Sequence, residues 1–428
     1  LTVPVENGIV TDKHSNYDPV QGIYRYLTVA EFERTVPTMG LPVRMSFQRE
    51  WVYVLKPLFQ YAIFYDKDME LFPGATFLVT GRVHSNGKIY TGTSASIHFK
   101  DFVSYVDGLS NQYSPLDPRA PGSPSGTIIY DKDPVMTTRE DPPGSVTADT
   151  SDSNYNNDGP RELIELPNAS QADPNATERL YNQAGLKVLI NSTGSNTTAI
   201  SGVSVPANDR VFLTEDGTAI PASDPLETYL EGMFSSGTMT DYRENASVST
   251  TDIDVSKVTT SYKDGGLPET IPTTTKWANS SAVPSALRGK AIPASIRGKS
   301  LWNGILYVTD VTNSSTHRTG VRLLNGASLP DGSEASSPKA GLTVASENAA
   351  YVVGDYNTGG TPPVDNASNP VGADNHITSY TVQPAAIIAD AVTAVSANWT
   401  ASNYNAASSL SARPPANTTS KSALISGI

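Results

Sequence analysis

Residues 81–92, GRVHSNGKIYTG, set a His, a Ser and an Asn side by side between two runs of β-forming residues. An imidazole with polar neighbours can act as a general base or bind a metal. The five histidines are His14, His84, His98, His317 and His376, and none makes an HExxH or HxH pattern. A metal or catalytic pair would need His84 and His98 to meet from successive strands. There is no G-x-S-x-G elbow, because GTSAS at 92–96 lacks the second Gly. A Ser–His–Asp set assembled in space stays open as an alternative. The simpler reading of Ser85-Asn86-Gly87 is a corner, since Asn and Gly readily take the positive φ of a tight turn. Val83, Ile89 and Tyr90 are then strand residues, and His84 points outward if Val83 points in. On this reading the chain has no catalytic and no cofactor-binding residues.

Carboxylates offer two further chemistries. Asp66, Asp68 and Glu70 alternate in DKDMELFPG, and paired carboxylates can cleave glycosidic bonds. The segment reads more simply as a solvated turn. DTSDSNYNNDG presents Asp149, Asp152, Asn154, Asn156 and Asp158 as oxygen donors suited to calcium. The EF-hand pattern fails there, with Asn157 at its Gly position and Leu163 at its Glu position. Calcium is the one cofactor the residues offer. Asn-x-Ser/Thr sequons, including Asn175, Asn191, Asn279 and Asn313, mark possible glycan acceptors.

The elements that would position these residues are short strands closed by Gly or Asn-Gly. ATFLVTGRVHS, NGKIYTG and ASIHFKDFVSYVDG lead, and ILYV, VRLL, LTVA, AYVV, AIIADAVTAV and ALI follow after residue 301. Hairpins give the same local signal. Runs this short with corners between them also suit a β-solenoid, in which each coil stacks on the last. The expected fold is therefore mainly β, a β-solenoid or β-helix-like stack with long loop insertions and a few short helices. Three regions are expected: an extended segment and first coils over 1–108, a loop-rich insertion over 109–300, and further coils over 301–428. Short helices are expected at about 176–185 and 223–235, the second with Ser223 or Asp224 as N-cap and Pro225 at N1. Residues 29–34 suit a helical turn, 248–258 read as strand and corner, and 265–300 read as irregular.

Composition narrows the functional class. The 428 residues carry 43 acidic against 30 basic side chains, a net charge of −13. That excludes a nucleic-acid binder, which needs a basic face, and an anionic-membrane binder. Zero cysteines exclude disulfides, thiolate metal sites and thiol nucleophiles. No apolar run is long enough to span a membrane. The first residue is Leu, and the last segment, SALISGI, reads as a strand; a longer natural chain is expected.

KPLFQYAIFYDKDMELFPG running into GRVHSNGKIYTG, then LYNQAGLKVLI, TDIDVSKV, WNGILYVTD, VRLLNGASLP, GLTVASENAAYVVGDYN and PAAIIADAVTAVS, form an ordered series of blocks. The series resembles the large bacterial pilus-assembly-like (PilX-type, prepilin-like) surface proteins over a third to a half of the chain. The resemblance implies an envelope or extracellular protein and supplies no catalytic residues.

The expected function is that of an extracellular structural protein, a subunit of a surface filament or pilus-like assembly at the cell surface. Its partners would be copies of itself or other surface subunits. Assembly would run through the terminal strands, at Leu1, Val3, Val5, Leu424, Ile425 and Ile428, by strand addition. The alternative is an adhesin that stacks glycans on Trp277, Trp302 and Trp399, with a polysaccharide-cleaving enzyme as a weaker third reading.

Overall fold

The computed structural model describes the chain apart from residues 1, 10–21, 36–41, 56–60, 75, 116, 118–119, 141–158, 168–172, 199–202, 242–245, 264–265, 334–338, 360–381, 399–415, 417 and 428. It is mainly β, with several sheets and few helices. The chain divides into two compact units, Leu1–Gln60 and Tyr61–Ile428. The compositional changes near residues 108 and 300 do not mark this division.

The first unit is one antiparallel sheet in the order β1-β2-β3, from β1 (Thr2–Ile9), β2 (Gly22–Thr35) and β3 (Pro42–Leu55). Residues 29–34 are therefore strand, not a helical turn. Pairing along the whole length of β2, from Gly22↔Leu55 to Thr35↔Pro42, overrides a short local preference. At about 3.4 Å per residue each long strand reaches roughly 48 Å.

The second unit opens with β4 (Tyr61–Tyr65), β5 (Met69–Leu71), β6 (Phe77–Val79), β7 (Arg82–Ser85), β8 (Lys88–Thr91), β9 (Ser96–Phe99), β10 (Val103–Tyr105), β11 (Gly108–Ser110), β12 (Thr127–Tyr130) and β13 (Val135–Met136). Consecutive strands do not pair. Every third strand does, in parallel, giving the ladders β4-β7-β10-β13, β5-β8-β11 and β6-β9-β12. Ile63, Val83 and Val103 share one row, and Met69, Ile89 and Leu109 another. The cadence of short runs is thus parallel stacking, not hairpins. Met69, Val79, Val83, Ile89, Ile97, Phe99 and Val103 fill the space between the three ladders.

Residues 159–263 follow with a 3-10 turn at Gly159–Leu163, α1 (Leu180–Gln183), β14 (Leu186–Asn191), β15 (Thr197–Thr198), β16 (Ser204–Val205), β17 (Asp209–Leu213), α2 (Pro225–Glu231), β18 (Phe234–Asp241), β19 (Ala246–Asp254) and α3 (Val255–Lys263). In α2 the Asp224 side chain accepts from the Leu226 N–H and Pro225 occupies the first turn, as the sequence predicts. The helix stops at Glu231 rather than 235 because Phe234 begins β18. Helix α3 begins at Val255, inside the 248–258 stretch that reads as strand and corner; Val255, Val258 and Tyr262 put one helical face into the core.

The remaining strands are β20 (Ile305–Asp310), β21 (Arg318–Leu324), β22 (Leu342–Ser346), β23 (Ala349–Val353), β24 (Ala385–Ala389), β25 (Val392–Val395) and β26 (Ala423–Ser426). They alternate between two parallel ladders, β14-β20-β22-β24-β26 and β19-β21-β23-β25. Antiparallel β17 and β18 end these ladders. The irregular stretch before β20 is largely exposed but sends Leu267, Ile271, Leu287, Ile292 and Ile296 into the core between the ladders.

Strand β26 joins the two halves. It lies between β24 and β4, both parallel to it, so Ile387, Leu424 and Ile63 form one row and Ile388, Ile425 and Phe64 the next. The result is a ten-stranded sheet, β13-β10-β7-β4-β26-β24-β22-β20-β14-β17. At about 4.8 Å per strand it is roughly 43 Å across.

Candidate functional site

The GRVHSNG segment forms the corner between β7 and β8, and it is a buried polar cluster. His84 does face away from Val83, but that face is covered too, and the ring is fully buried. Its row in the sheet runs Ile388, Ile425, Phe64, His84, Ser104. The ring lies 5.3 Å from Phe64 and 5.9 Å from Tyr61. Nδ1 is 2.8 Å from Ser104 Oγ and Nε2 is 2.9 Å from Asn86 Oδ1. Alternation gives the direction of His84 as the sequence predicts; what the sequence does not show is that this face is covered, by groups distant in sequence.

Asn86 is the hub. Its Nδ2 donates to Asp66 Oδ1 and to the Glu140 carbonyl, both at 2.6 Å, and its Oδ1 accepts from the Glu140 N–H at 2.8 Å. Arg139 Nη2 reaches Asp66 Oδ1 at 2.5 Å, and the Tyr61 hydroxyl donates to the Glu140 carboxylate. Asp66 is therefore buried and paired, not part of a solvated turn. Neither Asn86 nor Gly87 has the positive φ expected of the corner. Gly87 is required for a different reason: a Cβ there would meet the Asp68 backbone nitrogen at 2.6 Å. His84, Ser85, Asn86 and Asp66 are each hydrogen-bonded to another part of the fold, as burial demands.

The other sequence candidates are placed as follows. His98 lies on β9, in a different ladder from His84, and its Nε2 is 2.6 Å from Asp131 Oδ1; the two histidines do not meet. Asp68 accepts from the Lys88 N–H at 2.8 Å, and only Glu70 of the three alternating carboxylates lies in β5. Trp277 and Trp302 are buried in the core, 2% and 1% exposed, so they are not exposed sugar platforms. Trp399 lies outside the described residues, as do Asp149, Asp152, Asn154, Asn156 and Asp158. Among the described residues no group of three His, Asp or Glu is arranged to hold a metal ion. Of the sequons, Asn191 is fully buried and its Nδ2 donates to the Ser195 and Val205 carbonyls, whereas Asn279 and Asn313 are exposed.

Of the terminal residues, Val3 lies in edge strand β1, opposite Leu27, and Val5 sits at the irregularity between Pro4 and Glu6. Leu424 and Ile425 lie in β26, whose two edges are both paired within the chain. They are committed to the internal joint. Leu1 and Ile428 lie outside the described residues.

A second polar centre was not visible in the sequence. Arg179, 1% exposed, sits just before α1 and pairs through its Nη2 with Glu162 and through its Nε with Asp173 at 2.6 Å. Beside it Glu165 is fully buried, with Oε1 2.9 Å from Arg161 Nε and Oε2 4.0 Å from Arg179 Nη1. Neither Glu165 oxygen meets hydrogen-bond geometry. Arg161 also reaches Asp390 at 2.8 Å, and Glu347 accepts from the Leu166 N–H at 2.6 Å. Desolvation raises the Glu165 carboxyl to about 8, against the opposing pull of Arg161. Desolvation also raises Glu347. These residues come from three stretches of chain, and no local motif announces them.

No known protein family, curated protein or solved structure matches this chain.

Proposed function

We propose that the chain is an extracellular structural protein, a subunit of a cell-surface filament or pilus-like assembly. Its second unit is read as a β-solenoid. The support for that fold is the recurrence of rows at a separation of twenty residues in the first ladders, as in His84 over Ser104, and the parallel two-ladder repeat after β19. In a solenoid each coil contacts its neighbours, so stability comes from stacking and needs no disulfide.

The observation that carries the assembly reading is the sheet of the first unit. Tyr26 pairs with Trp51, Thr28 with Arg49, Ala30 with Phe47 and Phe32 with Met45, all on one face. Phe32, Met45, Phe47 and Trp51 are 59%, 53%, 57% and 50% exposed. Glu31, Glu33, Arg44, Ser46, Gln48 and Glu50 alternate onto the other face. An exposed face rich in large apolar side chains, crossed only by the Thr28–Arg49 row, marks an interaction surface. The edge of β1 adds main-chain donors and acceptors for strand addition. The proposal therefore places assembly at the N-terminal strand and its sheet.

The test is sedimentation velocity over a concentration series, on the wild type and on Phe47→Asp with Trp51→Asp. The wild type should form concentration-dependent oligomers and the double variant should stay monomeric. A wild type that is monomeric at every concentration, alone and with other native surface subunits, would refute the reading.

A further inference from the structure

Strands β14, β20, β22 and β24 of the ten-stranded sheet are buried on both faces. Their inner rows form the core, while Leu189, Tyr307, Ala345, Ala386 and Ile388 on the other face are also fully buried. Residues 160–167 and 173–184 cover part of that outer face. The Tyr307 hydroxyl donates to the Ile164 carbonyl at 2.6 Å, and the Tyr181 and Tyr307 rings meet edge to face at 5.3 Å. The charged groups trapped beneath the cover are unequal in number. Glu162, Glu165 and Asp173 from the cover and Glu347 from the turn after β22 face two arginines, Arg161 and Arg179; Asp390, after β24, takes part of Arg161.

We infer that this cover is a proton-dependent latch, closed when Glu165 carries a proton and loosened when Glu165 ionises beneath it. Arg179 is committed to Glu162 and Asp173, and Arg161 is shared with Asp390, so no cation is left to neutralise Glu165 alone. Its two oxygens lack hydrogen-bond geometry, which is tolerable for a neutral carboxyl and costly for a carboxylate. Glu347, half-buried and also raised, adds to the same sense. A carboxyl whose folded pKa lies above its unfolded value stabilises fully below the unfolded value, and that stability is lost as pH rises through the folded one. The latch therefore loosens between about pH 5 and 8.

Hydrogen exchange by mass spectrometry on the full chain, corrected for intrinsic rates, tests this from pH 5 to 9. The opening constant of amides in 160–167 and 173–184 should rise by roughly tenfold per pH unit up to about 8, then level off. Core strands such as β22 should not follow. Glu165→Gln should flatten the profile, and Glu347→Gln should flatten it less. A wild-type profile independent of pH, or an unchanged slope in Glu165→Gln, would overturn the latch. If Glu165→Gln fails to fold, the wild-type profile together with Glu347→Gln decides.

Discussion

At the scale of single residues, the corner after β7 shows how burial changes the meaning of a motif. His84, Asn86 and Asp66 look like loose loop chemistry in sequence, yet they are bonded to Ser104 and to residues 139–140. Asn86→Ala would leave the Glu140 N–H and one Asp66 contact unmet, so it should destabilise the fold by about 2–4 kcal/mol. Chemical denaturation of the variant checks this, and a change under about 0.5 kcal/mol would refute the hub role. Gly87→Ala should cost about 1–3 kcal/mol, because its methyl must displace the Asp68 backbone. The corner itself was legible from Ser-Asn-Gly. Its burial was not, because Phe64 comes from the neighbouring strand β4 and Glu140 lies 54 residues from Asn86. Trp277 and Trp302 were misplaced for a related reason: polar neighbours in sequence do not say which side of the chain faces the core.

At the scale of elements, the joint at β26 is decisive. Short β-forming runs were legible, and so was α2 with its Asp224 cap. Pairing partners were not, since a strand of four or five residues specifies no register by itself. Nothing in ALIS says that it will lie between β24 and β4. Ile425 is fully buried there, so Ile425→Asp places an unpaired carboxylate in the joint. We expect a loss of about 3–5 kcal/mol or more and faster exchange in both β24 and β4. Unchanged protection in β4 would show that the two halves do not depend on this strand. Deletion of residues 422–428 should accordingly damage folding before it affects assembly.

At the scale of the whole molecule, two buried groups shape the response to pH. Glu165, raised to about 8, makes stability fall as pH rises from about 5 to 8. Lys187, lowered by desolvation to about 8, is protonated in both states below that pH. Above it, the folded state releases the proton first, so this group makes stability rise toward pH 10. Their sum places a minimum near pH 8, which thermal melts across pH 5–10 can locate; a curve with its maximum there would contradict both assignments. The acidic excess and the absence of cysteine were read directly from composition, and they suit a solvated surface protein. The apolar face at Phe32, Met45, Phe47 and Trp51 was hidden, because burial cannot be inferred from a run of alternating residues alone.

A structural subunit of a surface filament should lie within ordered polymers at the cell surface. Negative-stain electron microscopy of native surface material, decorated with antibody against the chain, tests this most directly. Regular filaments labelled along their length, with a repeat set by one subunit, are the expected result. Label confined to isolated particles, with no ordered repeat, would contradict it.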